Sequence, residues 1–475
     1  MATLYVNHAT GDDSRTYAQA QNSATPWDTI GRAAWGSTNR AAPSSTAAAQ
    51  AGDTVMIAAG TYIAVEIDDQ VAWEPTNEGT AGNPITFEGV GDVYIATDSN
   101  LTPPSGGWAM GAHDNKSYIT FKNLIFDDVT NPAFGGDGLV HLQSADNIVI
   151  DGCRFYGRGG EVVSGNNYAG IFNTSTTDWT VKNCYFEGFG NYNIGAEENH
   201  TGIETYNICP RGVIEHCEFY HCATGVYHKA PTDLDGPTYD IGGSVTIRYS
   251  LFRECKYGVI QHRAPATSTN PFLVYQNIIR NMAQYGVQVR TFDLGNTDPK
   301  HGYYINNTFI NNGPGGGGAA GNIVINNIAA NSGIEIYNNI FYQGDYAIYY
   351  EGSNYSADRI AFDRNLGNGL NQNYGHLNVT DYNLTDWKTA TAEDDNSVST
   401  APSFVNITTH DYHLVDNAQT ALTLGRVVHS IGGTNGATIP IGAYITGSET
   451  IGRESAGETP AQAARYRFRR FRMRA

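Results

Sequence analysis

Hydrophobic and polar positions alternate in a six-residue pattern that recurs along the chain: apolar first, polar second, aromatic or Ile sixth. It reads Phe121-Lys-Asn-Leu-Ile-Phe126, Ile150-Asp-Gly-Cys-Arg-Phe155, Val181-Lys-Asn-Cys-Tyr-Phe186, Ile214-Glu-His-Cys-Glu-Phe219 and Ile247-Arg-Tyr-Ser-Leu-Phe252. Weaker copies span Val274 to Ile279, Ile305 to Ile310 and Ile336 to Phe341, and first residues lie 27 to 33 apart. A fixed period in this range marks a repeat architecture. The copies alternate as strands do, and no amphipathic pattern of period 3.6 lies between them. Repeats made only of short strands and turns bury their inward rows by stacking, so the pattern predicts an all-β parallel β-helix. A short helix is expected from Gly31 to Trp35, covering the open N-terminal end as a terminal repeat must. The organisation expected is a cap and first coils over 1–110, the main solenoid over 111–446, and a linker and tail over 447–475.

The opening and closing motifs carry a resemblance. Tyr5-Val6, Pro26-Trp27, Gly52-Asp53-Thr54-Val55, Ala59-Gly60-Thr61-Tyr62 and Asn83-Pro84-Ile85-Thr86-Phe87 resemble the start of pectate-lyase-like β-helix proteins. Pro402-Ser-Phe-Val405, Asp411-Tyr-His-Leu414 and Ile441-Gly-Ala-Tyr444 resemble their final coils. The sequence is most similar to polysaccharide lyases of the chondroitinase B and alginate lyase type. The resemblance spans roughly residues 3–446 and implies a right-handed parallel β-helix. It does not fix an activity, because this superfamily hosts lyases, hydrolases, viral tailspikes and inert scaffolds.

Asn recurs near the turns (Asn123, Asn183, Asn307, Asn338), which suggests inward amides bonding from coil to coil. Cys153, Cys184 and Cys217 share one slot of the repeat, and Cys222 and Cys255 share a second that Met282 continues. Their spacing is not that of a zinc site. Stacked buried thiols are expected, and they suit synthesis in a reducing compartment. The net charge of −19 argues against nucleic acid as a partner. No apolar run is long enough to span a membrane. Met1-Ala-Thr-Leu-Tyr enters a strand directly and shows no secretory h-region, so an extracellular or virion location would imply either a signal already removed or another route.

Candidate chemistry emerges when the coils are aligned on Gly202-Ile203, Gly225-Val226, Gly258-Val259 and Gly286-Val287. The second residue after each glycine then points outward (Glu204, Tyr227, Ile260, Gln288), and so does the fourth (Tyr206, Lys229, His262, Arg290). The latter set would form one exposed column. His228 and Arg263 lie beside it and could enter it through a bulge. Lys229 is one of only seven lysines, and Tyr227 and Tyr257 could stack on sugars. Such a column suits β-elimination from a uronic acid, which needs a cation to stabilise the developing enolate and a base and an acid to move protons. Lys229 or His262 would act as base or acid, Arg290 and Arg263 as carboxylate clamps, and Tyr206 as proton donor. The lyase resemblance implies a calcium ion as well, for which Glu198, Asn199 and Glu204 are the candidate ligands. Hydrolysis would instead require two carboxylates about 5–9.5 Å apart. Glu197, Glu198, Glu204, Asp233, Asp235 and Asp240 are the candidates, and the loop from 233 to 240 could also hold calcium.

The final residues form a distinct module. Arg465, Tyr466, Arg467, Phe468, Arg469, Arg470, Phe471 and Arg472 interleave guanidinium groups with aromatic rings. Such a segment suits docking on a partner. The functional expectations are therefore a polysaccharide-binding and potentially depolymerising β-helix, a phage virion component docked through its tail, or a non-catalytic adhesin-like scaffold. A polysaccharide, and a virion or self-assembly partner, are the expected partners.

Overall fold

The computed structural model describes residues 1–64, 71–97, 108–113, 115–128, 138–159, 167–191, 199–207, 209–229, 244–262, 271–290, 301–313, 320–326, 328, 332–352, 355, 359–415, 425–426, 438–439, 442–444 and 450–452. Across these residues the chain winds in parallel coils that build one sheet of 21 strands and one of 12. In a representative coil, Val245–Arg248 and Leu251–Arg253 enter the larger sheet and Tyr257–His262 the smaller. Equivalent residues pair in parallel from coil to coil: Ile214 with Ile247 and Val274, and Val226 with Val259 and Val287. The corners are single residues in the left-handed region, such as Tyr249 (φ 51°) and Glu254 (φ 54°). Asn183, Asn281 and Asn306 hold the same conformation at equivalent corners, and Asn tolerates it better than most side chains.

The sixth residue of the repeat builds the spine of the core. Phe126, Phe155, Phe186, Phe219 and Phe252 are fully buried and stack nearly parallel, with ring centroids 4.6–4.9 Å apart. Burying each ring contributes on the order of 2–3 kcal/mol. The copy expected at Ile305 to Ile310 is offset by one residue. Val274 pairs with Tyr304 and Ile279 with Phe309, so Tyr304 and Phe309 face the core. Ile305 and Ile310 join outer apolar clusters instead. A slip of one residue exchanges the two faces of a strand, and two aromatic residues each preceding or following an Ile made both registers apolar.

The amide ladder exists, one residue later than expected at most turns. Asn123, Asn183 and Asn338 are the left-handed corner residues themselves (φ 55°, 55° and 59°). The inward ladder is Asn277, Asn307, Asn339 and Asn365, of which only Asn307 was anticipated. Each Oδ1 accepts the backbone N–H of the preceding coil's member at 2.9–3.1 Å, beginning at Ser250 N–H. Each Nδ2 donates to a backbone carbonyl at 2.7–2.9 Å. Upstream, the same slot holds Cys153, Cys184, Cys217 and Ser250. All six cysteines are free and buried, and burial pushes the Cys153 and Cys184 thiols well up, so they remain neutral.

Both ends of the coil are closed. The helix Ile30–Trp35 is buried throughout; Thr29 accepts the Arg32 N–H at its start and left-handed Gly36 (φ 71°) ends it. At the other end Gly375–Leu377 pairs antiparallel with Thr380–Tyr382. The helix Leu384–Thr391 follows and sets Trp387 against Phe362, Tyr374 and Tyr382. This second cap was not anticipated. The chain then returns along the outside of the larger sheet. Tyr412 and Ala443 pack on Ile278 and Ile310, and Gly452 N–H donates to the Tyr249 carbonyl. Among the described residues no helix is long and apolar enough to cross a membrane.

Candidate functional site

The smaller sheet presents its outer face in columns one strand spacing apart, about 4.8 Å. Its register sets Glu204, Tyr227, Ile260, Gln288, Val324 and Tyr349 side by side in one column. In a second, Tyr206 neighbours Lys229, and His262 neighbours Arg290, Asn326 and Glu351. Both columns follow from strands whose alternate residues, Val226, Val259 and Val287, are locked into the core.

Tyr227 is the hub. Arg290 Nη2 donates to the Tyr227 hydroxyl oxygen at 2.9 Å, and that oxygen lies 2.7 Å from His262 Nδ1. Because the guanidinium can only donate, the tyrosine hydrogen is free to point at Nδ1. A neutral imidazole then carries its proton on Nε2. Arg290 also donates to Gln288 Oε1 (3.2 Å), Gln288 to Asn326 (2.9 Å), and Asn326 to Glu351 (3.0 Å). This chain fixes the plane of the guanidinium. Lys229 Nζ lies over the Tyr227 and Tyr206 rings at 5.4 and 5.8 Å. It donates to Asn199 Oδ1 at 3.2 Å and approaches Glu204 Oε1 at 3.7 Å.

The structure thus brings Tyr206, Lys229, His262, Arg290, Tyr227, Glu204 and Asn199 together. It differs from the expected exposed column: Tyr227 and Arg290 are 2% and 3% exposed, His262 is buried and Glu204 is fully buried, so the Tyr227 ring is covered by its neighbours and not open for a sugar to stack on. Lys229 keeps 21% of its side chain accessible; Tyr206, Phe172 and Thr174 on the N-terminal side of the columns are half-buried, as are Asn326 and Tyr349 on the C-terminal side, where Glu351 is exposed. His228 is not on this face. It points into the coil, where Nδ1 meets Thr205 Oγ1 at 2.5 Å and the ring stacks on Phe272. The strand has no bulge to exchange it, because its pairing runs unbroken from Val226 to His228. Tyr257 lies in a neighbouring outer column, buried against Tyr285 at 5.1 Å. Arg263, Glu197, Glu198, the loop from 233 to 240 and the docking residues Arg465, Tyr466, Arg467, Phe468, Arg469, Arg470, Phe471 and Arg472 lie outside the described residues.

Sequence reasoning missed Asn326 and Glu351, which with Gln288 orient Arg290; Asn322 replaces the glycine that marks the register in the earlier coils. Upstream, Trp108 stacks on His141 (4.8 Å) and Phe172 (5.6 Å), and Phe172 on Tyr206 (6.2 Å). Starting the alignment at Gly170 would have found Phe172. Burial, with His113 beside it, pushes the His141 imidazole down to about 3, so that ring is neutral.

Residues 112–297 match the family model described as a right handed beta helix region. The chain is a right-handed parallel β-helix. The fold is thus the one implied by its resemblance to pectate-lyase-like proteins. No curated protein matches the chain. Among solved structures, the β-helix is similar to pectate lyase Pel9A at 12% identity, covering 94% of this chain and 96% of that one with a TM-score of 0.49. It is also similar to a PL6 family polysaccharide lyase from Pseudopedobacter saltans (13% identity, 72% and 91% covered, TM-score 0.38). An alginate lyase from Paenibacillus sp. str. FPU-7 shows 16% identity, 70% and 93% covered, and a TM-score of 0.37. At such identities no chemistry carries across from these proteins to the β-helix.

Proposed function

We propose that the β-helix binds an acidic polysaccharide along the outer wall of its smaller sheet and cleaves it by β-elimination. The observation that carries this reading is the convergence of Lys229, His262 and Arg290 on the Tyr227 ring and hydroxyl. Lys229 and Arg290, two strands apart with His262 between them, suit a polymer with repeated carboxylates. The half-buried rings of Phe172 and Tyr206 offer sugar-stacking surfaces on the N-terminal side.

In this mechanism a base removes the C5 proton of a uronate. The electron pair forms a C4–C5 double bond, the C4–O bond breaks, and the departing oxygen takes up a proton. Lys229 and Arg290 neutralise the carboxylate whose charge grows as the enolate develops. Tyr227 and His262 share one hydrogen and are placed to move a proton. Tyr206, half-exposed beside Lys229, is the candidate donor to the leaving oxygen, and Arg263 a further carboxylate clamp. Among the described residues, the side chains gathered here do not fit a calcium ion. Lys229 Nζ stands on the oxygens of Asn199 and Glu204, and calcium takes six to eight oxygen ligands. No step is therefore assigned to a metal.

The test is incubation with alginate, pectate, chondroitin and bacterial exopolysaccharides while following the ultraviolet absorbance of unsaturated uronate. A rise with one polymer, abolished in Lys229→Ala plus His262→Ala, is expected. Full activity in the double variant overturns the assignment.

A further inference from the structure

The register divides the outer wall of the smaller sheet into a cationic centre and two flanks without lysine or arginine. Across the twelve strands of that sheet, Lys229 and Arg290 are the only lysine and arginine. They stand two strands apart, about 10 Å, with His262 between them. Upstream the two columns continue as Phe172 and His141, and as Tyr206 and Thr174. His141 adds no charge, because burial pushes its imidazole down to about 3. Downstream they continue as Val324 and Tyr349, and as Asn326 and Glu351. His376 lies one strand further, stacked on Tyr349 at 4.2 Å and paired with Asp381 at 2.5 Å.

The connecting segments supply the flanks with no such cation either. From His301 to Asp358 the chain contains no lysine or arginine. Between Asn123 and Pro210 it contains Arg154, Arg158 and Lys182, and all three lie on strands of the larger sheet. The flanks instead offer what an uncharged sugar uses. Phe172 and Tyr206 upstream, and Tyr349 and His376 downstream, are half-buried rings. Glu351 is exposed and Asp381 keeps 41% of its side chain accessible, and carboxylates accept from hydroxyl groups. A polymer carboxylate pressed on these flanks would lose water without gaining a cation, and downstream it would face Glu351.

We infer that the polymer is a heteropolysaccharide whose uronates recur with uncharged sugars between them, not one with a uronate on every unit. The uronate to be cleaved stands at Lys229 and Arg290, and uncharged sugars lie on the flanking rings. The inference rests on the proposed reading for the path of the polymer along this wall, and adds the class of substrate.

The experiment is fluorescence polarisation of labelled oligosaccharides of equal length on the full chain, read before cleavage proceeds. Deacylated gellan and hyaluronan fragments set uncharged sugars between their glucuronates; oligogalacturonate has none. Wild type should bind at least one of the first two roughly tenfold or more tighter than oligogalacturonate. Glu351→Gln, which keeps an oxygen for Asn326, should tighten oligogalacturonate several-fold and move the other ligands little. Thr174→Lys should do the same from the upstream flank. Oligogalacturonate bound as tightly as the mixed oligosaccharides overturns the inference, and so does a preference that neither variant narrows. A preference of the expected sign without cleavage removes β-elimination and leaves the inference standing. Binding of none of the three overturns both.

Discussion

Tyr227 shows how one side chain acquires a role from its neighbours. As a residue on an outward column it offered a ring for stacking. The fold adds a guanidinium on one side of its hydroxyl and an imidazole on the other, at 2.9 and 2.7 Å. Tyr227→Phe keeps the ring beneath Lys229 and removes only the shared hydrogen. The expected outcome is a fall in kcat of roughly 10²-fold or more with KM little changed, read as the initial rate of unsaturated uronate formation. Equal falls in kcat for Tyr227→Phe and for His262→Gln, without further loss in the double variant, would mark the two as one unit. The column positions of Tyr206, Lys229, His262 and Arg290 were legible in the sequence because strands alternate and glycines mark the register. Their partners were not. Asn199 approaches from the preceding coil, and the chain from Gln288 through Asn326 to Glu351 crosses three coils, so no local pattern links them. His228 was offered to this face only through a bulge, and the strand has none, since Val226, Tyr227 and His228 pair in unbroken register.

At the scale of the element, the coil is held by ladders that substitute for one another. In the core slot thiols give way to a hydroxyl and then to amides; the Ser250 hydroxyl accepts the Cys217 N–H and donates to the Arg248 carbonyl, and each amide accepts one backbone N–H and donates to a carbonyl of the coil before. Asn339→Ala should therefore cost about 3 kcal/mol, since it orphans the Asn307 N–H and a buried carbonyl. Ser250→Cys, which repeats the Cys217 solution, should cost much less; chemical denaturation distinguishes the two. The ladder ends at Asp394, which is fully enclosed and accepts from Asn365, Trp387, Tyr374 and Ser397. Burial pushes its carboxyl up from 3.8 to about 6. The folded chain thus binds this proton more tightly than the unfolded one. The stability it supplies is complete below about pH 4 and is lost as pH rises to about 6. Melting temperature measured across that range should fall less steeply in Asp394→Asn than in wild type. The same slope in both would remove Asp394 as its source. The repeat itself was readable because each ladder recurs at a near-constant spacing. The C-terminal cap was not, because its single turn pair and one Trp break the period without announcing a new one.

At the scale of the molecule, two outer faces of one coil carry different electrostatics. On the larger sheet, Glu88, Lys122, Asp151, Lys182, Glu215 and Arg248 stand in register with alternating sign. Ion pairs close at Glu88–Lys122 (2.8 Å), Asp151–Lys182 (3.6 Å) and Glu215–Arg248 (2.6 Å). Over these six residues the column is neutral. The smaller sheet concentrates Lys229, His262 and Arg290, within a body of net charge −19. On the proposed reading, a polyanion is repelled at long range and held at contact by Lys229 and Arg290, against the charges of Glu204 and Glu351 beside them. Salt near 0.1 M screens charges beyond about 10 Å and affects buried pairs far less. Affinity for an acidic oligosaccharide, measured by fluorescence polarisation, should therefore hold or rise as salt increases from about 0.01 to about 0.1 M. A steep fall would point to diffuse surface attraction instead.

The most direct test of the whole account is the ultraviolet signal of unsaturated uronate from a panel of uronate polymers, recorded in EDTA for wild type and Tyr227→Phe. The account predicts a rising absorbance with at least one polymer for wild type and its near-complete loss in the variant. Activity that needs added calcium, or survives intact without the Tyr227 hydroxyl, would contradict it, as would silence across every uronate polymer.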